Sequence, residues 1–336
     1  MTDIIEKKSG IVLARGNRKA WIDFLRAIAI IFVIFGHQIP GRTEYFVFTS
    51  PVKIPLFFMI SGYVFNDSRT SVMDFFTNLL RRLIVPWFCL TILFTVIKIP
   101  SQGFLVIPQT FLKMIAGQKD WFMICIVVAE IIWFFTRKLF RRVSYTCICS
   151  MIVVGMGIFA AQMDILNYAM ISRAMLMQLM FLAGFLFRRY EELLASIHWI
   201  YIALMGVVYF GLGFLSLHYW PGCCLDVHNN TYYNYPVCFG MILLGCFTLF
   251  LMARRLMVAP RFLCFIGQNT LVYYLLHPQV LSAGKKALAL LKIYLSDAML
   301  GACIGTIIAC VGCGVIAMIL NRFLPEVIGK KRHKVT

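Results

Sequence analysis

Charge is scarce in this sequence. Only 14% of its 336 residues are Asp, Glu, Lys or Arg, and the acids number just 14. Hydrophobic residues reach 61% and the mean hydropathy is +0.84. That much apolar surface cannot be hidden in a water-soluble core, so a soluble protein is excluded. Long polar stretches are missing as well. Apolar runs of about 15 to 23 residues recur along the chain, broken by short segments holding Arg, Lys, Pro, Gly or Asn, which is the pattern of spanning helices. No separate soluble domain, low-complexity linker, fixed-period repeat or inverted repeat is visible. The first run, Trp21 to Ile39, follows a polar tail and lacks a small-residue cleavage site, so it is expected to be a retained helix rather than a signal peptide. Metal-ligand spacing is absent too. Nearly all of the 12 cysteines fall inside apolar runs, where a free thiol behaves as a small hydrophobe. Cys310 and Cys313 have no His or second pair nearby, and Cys223 and Cys224 are adjacent, so neither a zinc site nor a disulfide is expected.

What is present predicts an all-α, polytopic integral membrane bundle of about ten transmembrane helices. The spans read as 21–39, 52–66, 79–99, 121–136, 145–163, 172–187, 198–218, 235–253, 262–282 and 298–321. They make one transmembrane domain over 21–321, between a tail at 1–20 and a basic tail at 322–336. The formal net charge of +18 follows membrane sidedness and calls for no nucleic-acid partner. With Arg26 set aside, 22 Lys and Arg lie in the two tails and the even-to-odd loops, against nine on the opposite side. Both termini are therefore expected in the cytoplasm. Two spans are irregular: the second carries Pro55, and the ninth has Gly267 near its start and His277-Pro278 near its end. Proline breaks or kinks a helix, and irregular backbone survives in a bilayer only where protein or a water-filled cavity covers it. These helices are expected to line a cavity.

An ionisable side chain inside a spanning helix is costly, so each one is a functional candidate. They are Asp23, Arg26, His37, Glu130 and His277. Arg26 and His37 are eleven residues apart, within about 20° of one helix face and about 16 Å apart along the axis. Asp23 is placed to pair with Arg26. At 1.5 Å per residue His37 and His277 come to a similar depth, about 22 to 24 Å from the inner end, though spacing cannot say that their helices are neighbours.

The run Trp21-Ile22-Asp23-Phe24-Leu25-Arg26-Ala27-Ile28-Ala29 ending in Gly36-His37 resembles the opening of the membrane-bound acyltransferase-3 family. Within it, Pro55-Leu56-Phe57-Phe58-Met59-Ile60-Ser61-Gly62-Tyr63 and Arg81-Arg82 before Pro86-Trp87 resemble the fucose 4-O-acetylase-like branch. Asp120-Trp121-Phe122, Phe181-Leu182-Ala183-Gly184-Phe185, Leu225-Asp226 with Asn229-Asn230, and Gly267-Gln268-Asn269-Thr270-Leu271 to Tyr274 and His277 follow in the family's order. Thr270 stands where the family usually has Ser. The resemblance implies an O-acyltransferase that moves an acetyl or other short acyl group from cytoplasmic acyl-CoA, acetyl-CoA being the expected donor, to a cell-surface or lipid-linked glycan. It implies no permanently bound cofactor, and the bacterial inner membrane as the setting.

Acyl transfer to a hydroxyl needs a base that works near neutral pH, a task that suits His37. Arg26 would hold the donor or orient the site; its bland role is an ion pair with Asp23 or Glu130. Arg81 and Arg82 suit the donor's phosphates, or serve only as a positive-inside anchor. Ser61 would allow close approach to the donor. Asp23, Trp121, Glu130, Asp226, Asn230, Asn269, Tyr274 and His277 are the acceptor-binding or supporting candidates, Trp121 reading equally as an interfacial anchor and Asp226 and Asn230 as a solvated loop. The rival function is a transporter or flippase of a glycan or other polar solute, since cavities and broken helices serve movement too.

Overall fold

The computed structural model describes residues 11–12, 19–39, 44–65, 71–96, 103–219, 225–232, 234–256, 259–290 and 297–330. Cys223, Cys224, the basic residues 331–334 and most of the N-terminal tail lie outside the described residues. The architecture is all-α. Its helices are α1 (Ala20–Gly36), α2 (Glu44–Lys53), α3 (Pro55–Val64), α4 (Val72–Leu79), α5 (Val85–Val96), α6 (Val106–Ala116), α7 (Trp121–Leu139) and α8 (Val143–Gln162). Then come α9 (Ile171–Leu176), α10 (Gln178–Arg189), α11 (Glu191–Ala195), α12 (Trp199–Tyr219), α13 (Tyr235–Leu256), α14 (Arg261–Gln268), α15 (Thr270–Leu290) and α16 (Ala298–Phe323). Two antiparallel two-residue ladders complete it: β1 (Ile11–Val12) with β4 (Ala259–Pro260), and β2 (Leu225–Asp226) with β3 (Thr231–Tyr232).

Among the described residues six helical stretches are long and apolar enough to cross a membrane, and the pair 168–176 and 178–189, bent by 45°, makes a seventh if taken as one span. The other three expected spans fall on α1, which has 17 residues, on α7, which carries Glu130, Arg137 and Lys138, and on α14 with α15. Several boundaries differ from the sequence reading. The second span starts at Glu44 and is interrupted only at Ile54, where Pro55 opens α3 at a position that needs no N–H donor. The third runs from Val72 to Val96 through a π-helical turn at Leu80–Ile84, so Arg81 and Arg82 sit inside a continuous helix and not at its end. The short helix α6 was not expected. The ninth span divides at Asn269, and Pro278 does not end it: α15 continues to Leu290.

The chain separates into two compact units, one of Met1–Tyr63 with Ala183–Gly314, the other of Val64–Leu182 with Val315–Thr336. In the first, α1 is buried almost all round, as a helix in the middle of a bundle must be. It packs against α14 so closely that a Cβ on Gly267 would overlap the backbone of Asp23. Gly184 meets Met59 and Tyr63 of α3 in the same way. Small residues permit such backbone contact in membrane helices. An aromatic cluster of Trp21, Tyr63, Phe187 and Phe250 closes one end, with ring centres 5.1 to 6.2 Å apart. Along α12, exposed Val207, Phe210 and Phe214 form an apolar outer stripe. Only 22% of that span is buried, against 72% of Glu44–Val64, which marks α12 as lipid-facing and α2 with α3 as core.

In the second unit Phe75 of the amphipathic α4 stacks on Phe134 of α7, with ring centres 4.0 Å apart. The Gln178 amide donates to the carbonyl of Ala129 at 3.0 Å, joining α10 to α7. Exposed Ile148, Ile152, Met156 and Phe159 give α8 its own apolar stripe.

Candidate functional site

His37 caps the C-terminal end of α1. Its N–H donates to the carbonyls of Val33 and Ile34, each at 3.2 Å, and its ring is exposed. The rise of the helix puts it about 27 Å from Lys19 at the other end. His277 lies on α15 and is 3% exposed. The two rings sit 5.1 Å apart, centre to centre, at an angle of 38°. Tyr274, one turn before His277, has its ring 6.4 Å away.

The orientation of His277 follows from its hydrogen bonds. Nδ1 lies 3.0 Å from the carbonyl oxygen of Tyr273 and 2.9 Å from that of Tyr274. Carbonyl oxygens only accept, so Nδ1 carries the hydrogen and Nε2 keeps its lone pair. Nε2 is buried and has no hydrogen-bond partner. A cavity of about 470 Å³ opens here, lined by both histidines, Gln38, Ser282, Lys285 and Lys286. A neighbouring cavity of about 280 Å³ shares Gln38 and Lys285 and is bounded by Asp297 and Gly305. A buried acceptor without a partner, on a residue that lines a polar cavity, can take a hydrogen bond from a donor.

Arg26 and Asp23 lie toward the opposite end of α1. Arg26 Nη1 donates to Asp23 Oδ1 at 3.4 Å, and Gln268 Nε2 donates to Asp23 Oδ2 at 3.2 Å. Beyond them is a charged cluster that sequence reasoning missed. Glu191 accepts hydrogen bonds from Lys19, Tyr63 and Arg254, at 2.8, 2.6 and 2.5 Å. Burial would push its carboxyl up, but these three donors outweigh it and hold the group below its ordinary value. Ser61 lies partly exposed on α3, and buried Asn269 donates to the Phe265 carbonyl at 2.8 Å, which stitches the break between α14 and α15. In the loop between α12 and α13 Asp226 accepts from the N–H groups of His228 and Asn229 and from the Asn229 side chain, a loop-forming turn, while Asn230 adopts φ 57°.

The second unit holds the remaining candidates. Arg82 donates to Glu130 at 2.5 Å, with side-chain exposures of 53% and 5%. Glu130 thus partners Arg82, and Arg26 partners Asp23. Arg81 is exposed on the same π-helical turn, a distortion that clusters at functional sites. Trp121 opens α7 beside Phe122. Asp120 before it accepts from Trp87 Nε1 at 3.2 Å and Thr91 Oγ1 at 3.1 Å.

The structure therefore brings His37, His277 and Tyr274 together and adds Gln38, Ser282, Lys285 and Lys286, which sequence reasoning passed over. A signal existed for Lys285: positions 277, 281 and 285 repeat at i, i+4 and i+8 toward one side of a helix, whereas Lys286 falls outside that spacing. Among the described residues no three His, Cys, Asp or Glu side chains converge as a metal ion would require. Residues 19–318 match the acyltransferase-3 family, described as an acyltransferase domain. No curated protein and no solved structure matches the chain.

Proposed function

Because this chain belongs to the acyltransferase-3 family, we propose that it moves an acetyl or other short acyl group from cytoplasmic acyl-CoA to a hydroxyl of a cell-surface or lipid-linked glycan. The observation that carries the reading is the histidine pair at the cavity, His37 exposed to it and His277 behind with a bare Nε2. In the proposed reaction His37 takes the hydroxyl proton as the oxygen attacks the thioester carbonyl. The C–O bond forms, the C–S bond breaks, and the proton passes from His37 to the departing thiolate, giving an O-acyl glycan and free CoA. Arg26, held by Asp23, lies along α1 on the donor's path. Arg81 and Arg82 contact the donor's phosphates. The proposal includes ten crossings with both termini in the cytoplasm of a bacterial inner membrane, so that donor and acceptor approach from opposite sides.

The test uses the purified full chain in lipid nanodiscs with acetyl-CoA and a panel of glycans, scored for free CoA thiol and acetylated sugar. Thiol release that depends on a glycan, matched by acetylated product, is the expected result. Glycan movement across proteoliposomes without thiol release would establish the transporter reading instead. Withholding acceptor separates direct transfer from an acyl-histidine relay, since only the relay leaves labelled acyl group on the protein.

A further inference from the structure

Pro278 lies within α15 and continues the helix, yet it has no N–H to offer. In an α-helix that N–H would have bonded the carbonyl four residues earlier, which is Tyr274. The Tyr274 carbonyl is the one that accepts from His277 Nδ1 at 2.9 Å, alongside the Tyr273 carbonyl at 3.0 Å. The residue next to the histidine thus frees the oxygen that fixes the histidine's tautomer. With the hydrogen committed to Nδ1, the only open position on the ring is the Nε2 lone pair, buried at the cavity wall.

Its nearest ring is His37. Centres 5.1 Å apart match two imidazoles joined through one ring N–H, since about 3 Å between nitrogens plus the two ring radii gives that spacing. No such bond is formed in this structure among the described residues, where the rings are tilted by 38°, and making it requires them to reorient. Catalytic hydrogen bonds commonly tighten only once substrate is bound.

We infer that Pro278 and the Tyr274 carbonyl lock His277 as the Nδ1–H tautomer, so that Nε2 receives the ring N–H of His37 and turns the other His37 nitrogen toward the acceptor hydroxyl. The hydrogens then run in one direction: hydroxyl to His37, His37 to His277, His277 to backbone carbonyl. His277 takes up no proton; it orients His37 and stabilises the imidazolium that forms there, and it is a positioning residue. The inference rests on the acyl-transfer reading for its purpose, but the tautomer can be measured without any reaction.

The full chain, labelled with ¹⁵N-histidine and held in lipid nanodiscs, gives the tautomer directly from its nitrogen shifts, with His277 assigned by its loss in His277→Asn. We expect a single Nδ1–H form in the native chain. Pro278→Ala returns an N–H to Tyr274, strengthens the helix, and should yield a mixture of tautomers. In the acyl-transfer assay His277→Asn, which can bond the carbonyls but presents nothing at Nε2, should lose about 10²-fold in kcat, the scale of a misoriented group. His277→Gln, whose amide oxygen reaches the Nε2 position, should recover much of that loss, with the acceptor KM little changed. An Nε2–H tautomer in the native chain, an unaltered spectrum in Pro278→Ala, or equal kcat for the Gln and Asn variants would overturn the inference. If the native chain transfers no acyl group while the tautomer behaves as expected, the acyl-transfer reading fails and the locked ring stands.

Discussion

Glu191 shows how much one side chain can organise. It receives Lys19 from before α1, Tyr63 from the end of α3 and Arg254 from the end of α13, so three chain segments converge on one carboxylate. A carboxyl held below its ordinary value stabilises the fold above the unfolded-state pKa of about 4.3, and the contribution is lost as pH falls through the lower folded value. Glu191→Gln should therefore melt at a lower temperature than the native chain at pH 7, and the gap should shrink on acidification; equal melting at pH 7 would show that the cluster contributes nothing. The arginine pair separates differently. Replacing Arg82 by Gln leaves the buried Glu130 carboxylate without the partner seen here, so folded yield should fall. Arg81→Gln should leave folded yield intact and raise the KM for acyl-CoA, and unchanged donor kinetics would return Arg81 to a topology signal. None of these partners was legible in the sequence, because an ion pair between residues 48 or 63 positions apart depends on which helices pack.

At the scale of the elements, what could be read was what depends on local rules. Apolar runs placed most helices, the three-residue spacing paired Asp23 with Arg26, and Gly267 marked an irregular ninth span. Equal depth brought His37 and His277 to one level, and only tertiary packing set their rings 5.1 Å apart. The ends of irregular helices were less visible. Pro278 was expected near the end of its span, but one missing donor breaks a helix only if nothing else satisfies the freed carbonyl, and His277 does so. The π-helical turn that carries Arg81 and Arg82 left no pattern in hydropathy. Close packing gives a direct check on the α1 and α14 contact. Gly267→Val drives a side chain into the Asp23 backbone and should destabilise the chain by about 1–3 kcal/mol, read as a lower melting temperature; a variant as stable as the native chain would mean that the helices lie further apart.

For the molecule as a whole, the first unit presents two chemically different ends. Lys19, Tyr63, Glu191 and Arg254 gather at one, and His37, His277 and Lys285 at the other, separated by the length of α1. Cysteines introduced singly at Glu192 and Asn229 in a cysteine-free chain should be labelled by an impermeant reagent from opposite faces, Glu192 from the cytoplasm. Labelling of both from one face would remove the two-sided arrangement on which the proposed transfer across the membrane depends. The central claim, that His37 performs acyl transfer at the cavity, is met most directly by one comparison: His37→Ala and the native chain, matched for folded yield and melting temperature, assayed with acetyl-CoA and a glycan acceptor. The account predicts a loss of about 10²- to 10⁴-fold in the transfer rate, the contribution of a general base. A folded His37→Ala protein that acetylates its acceptor at the native rate would contradict it.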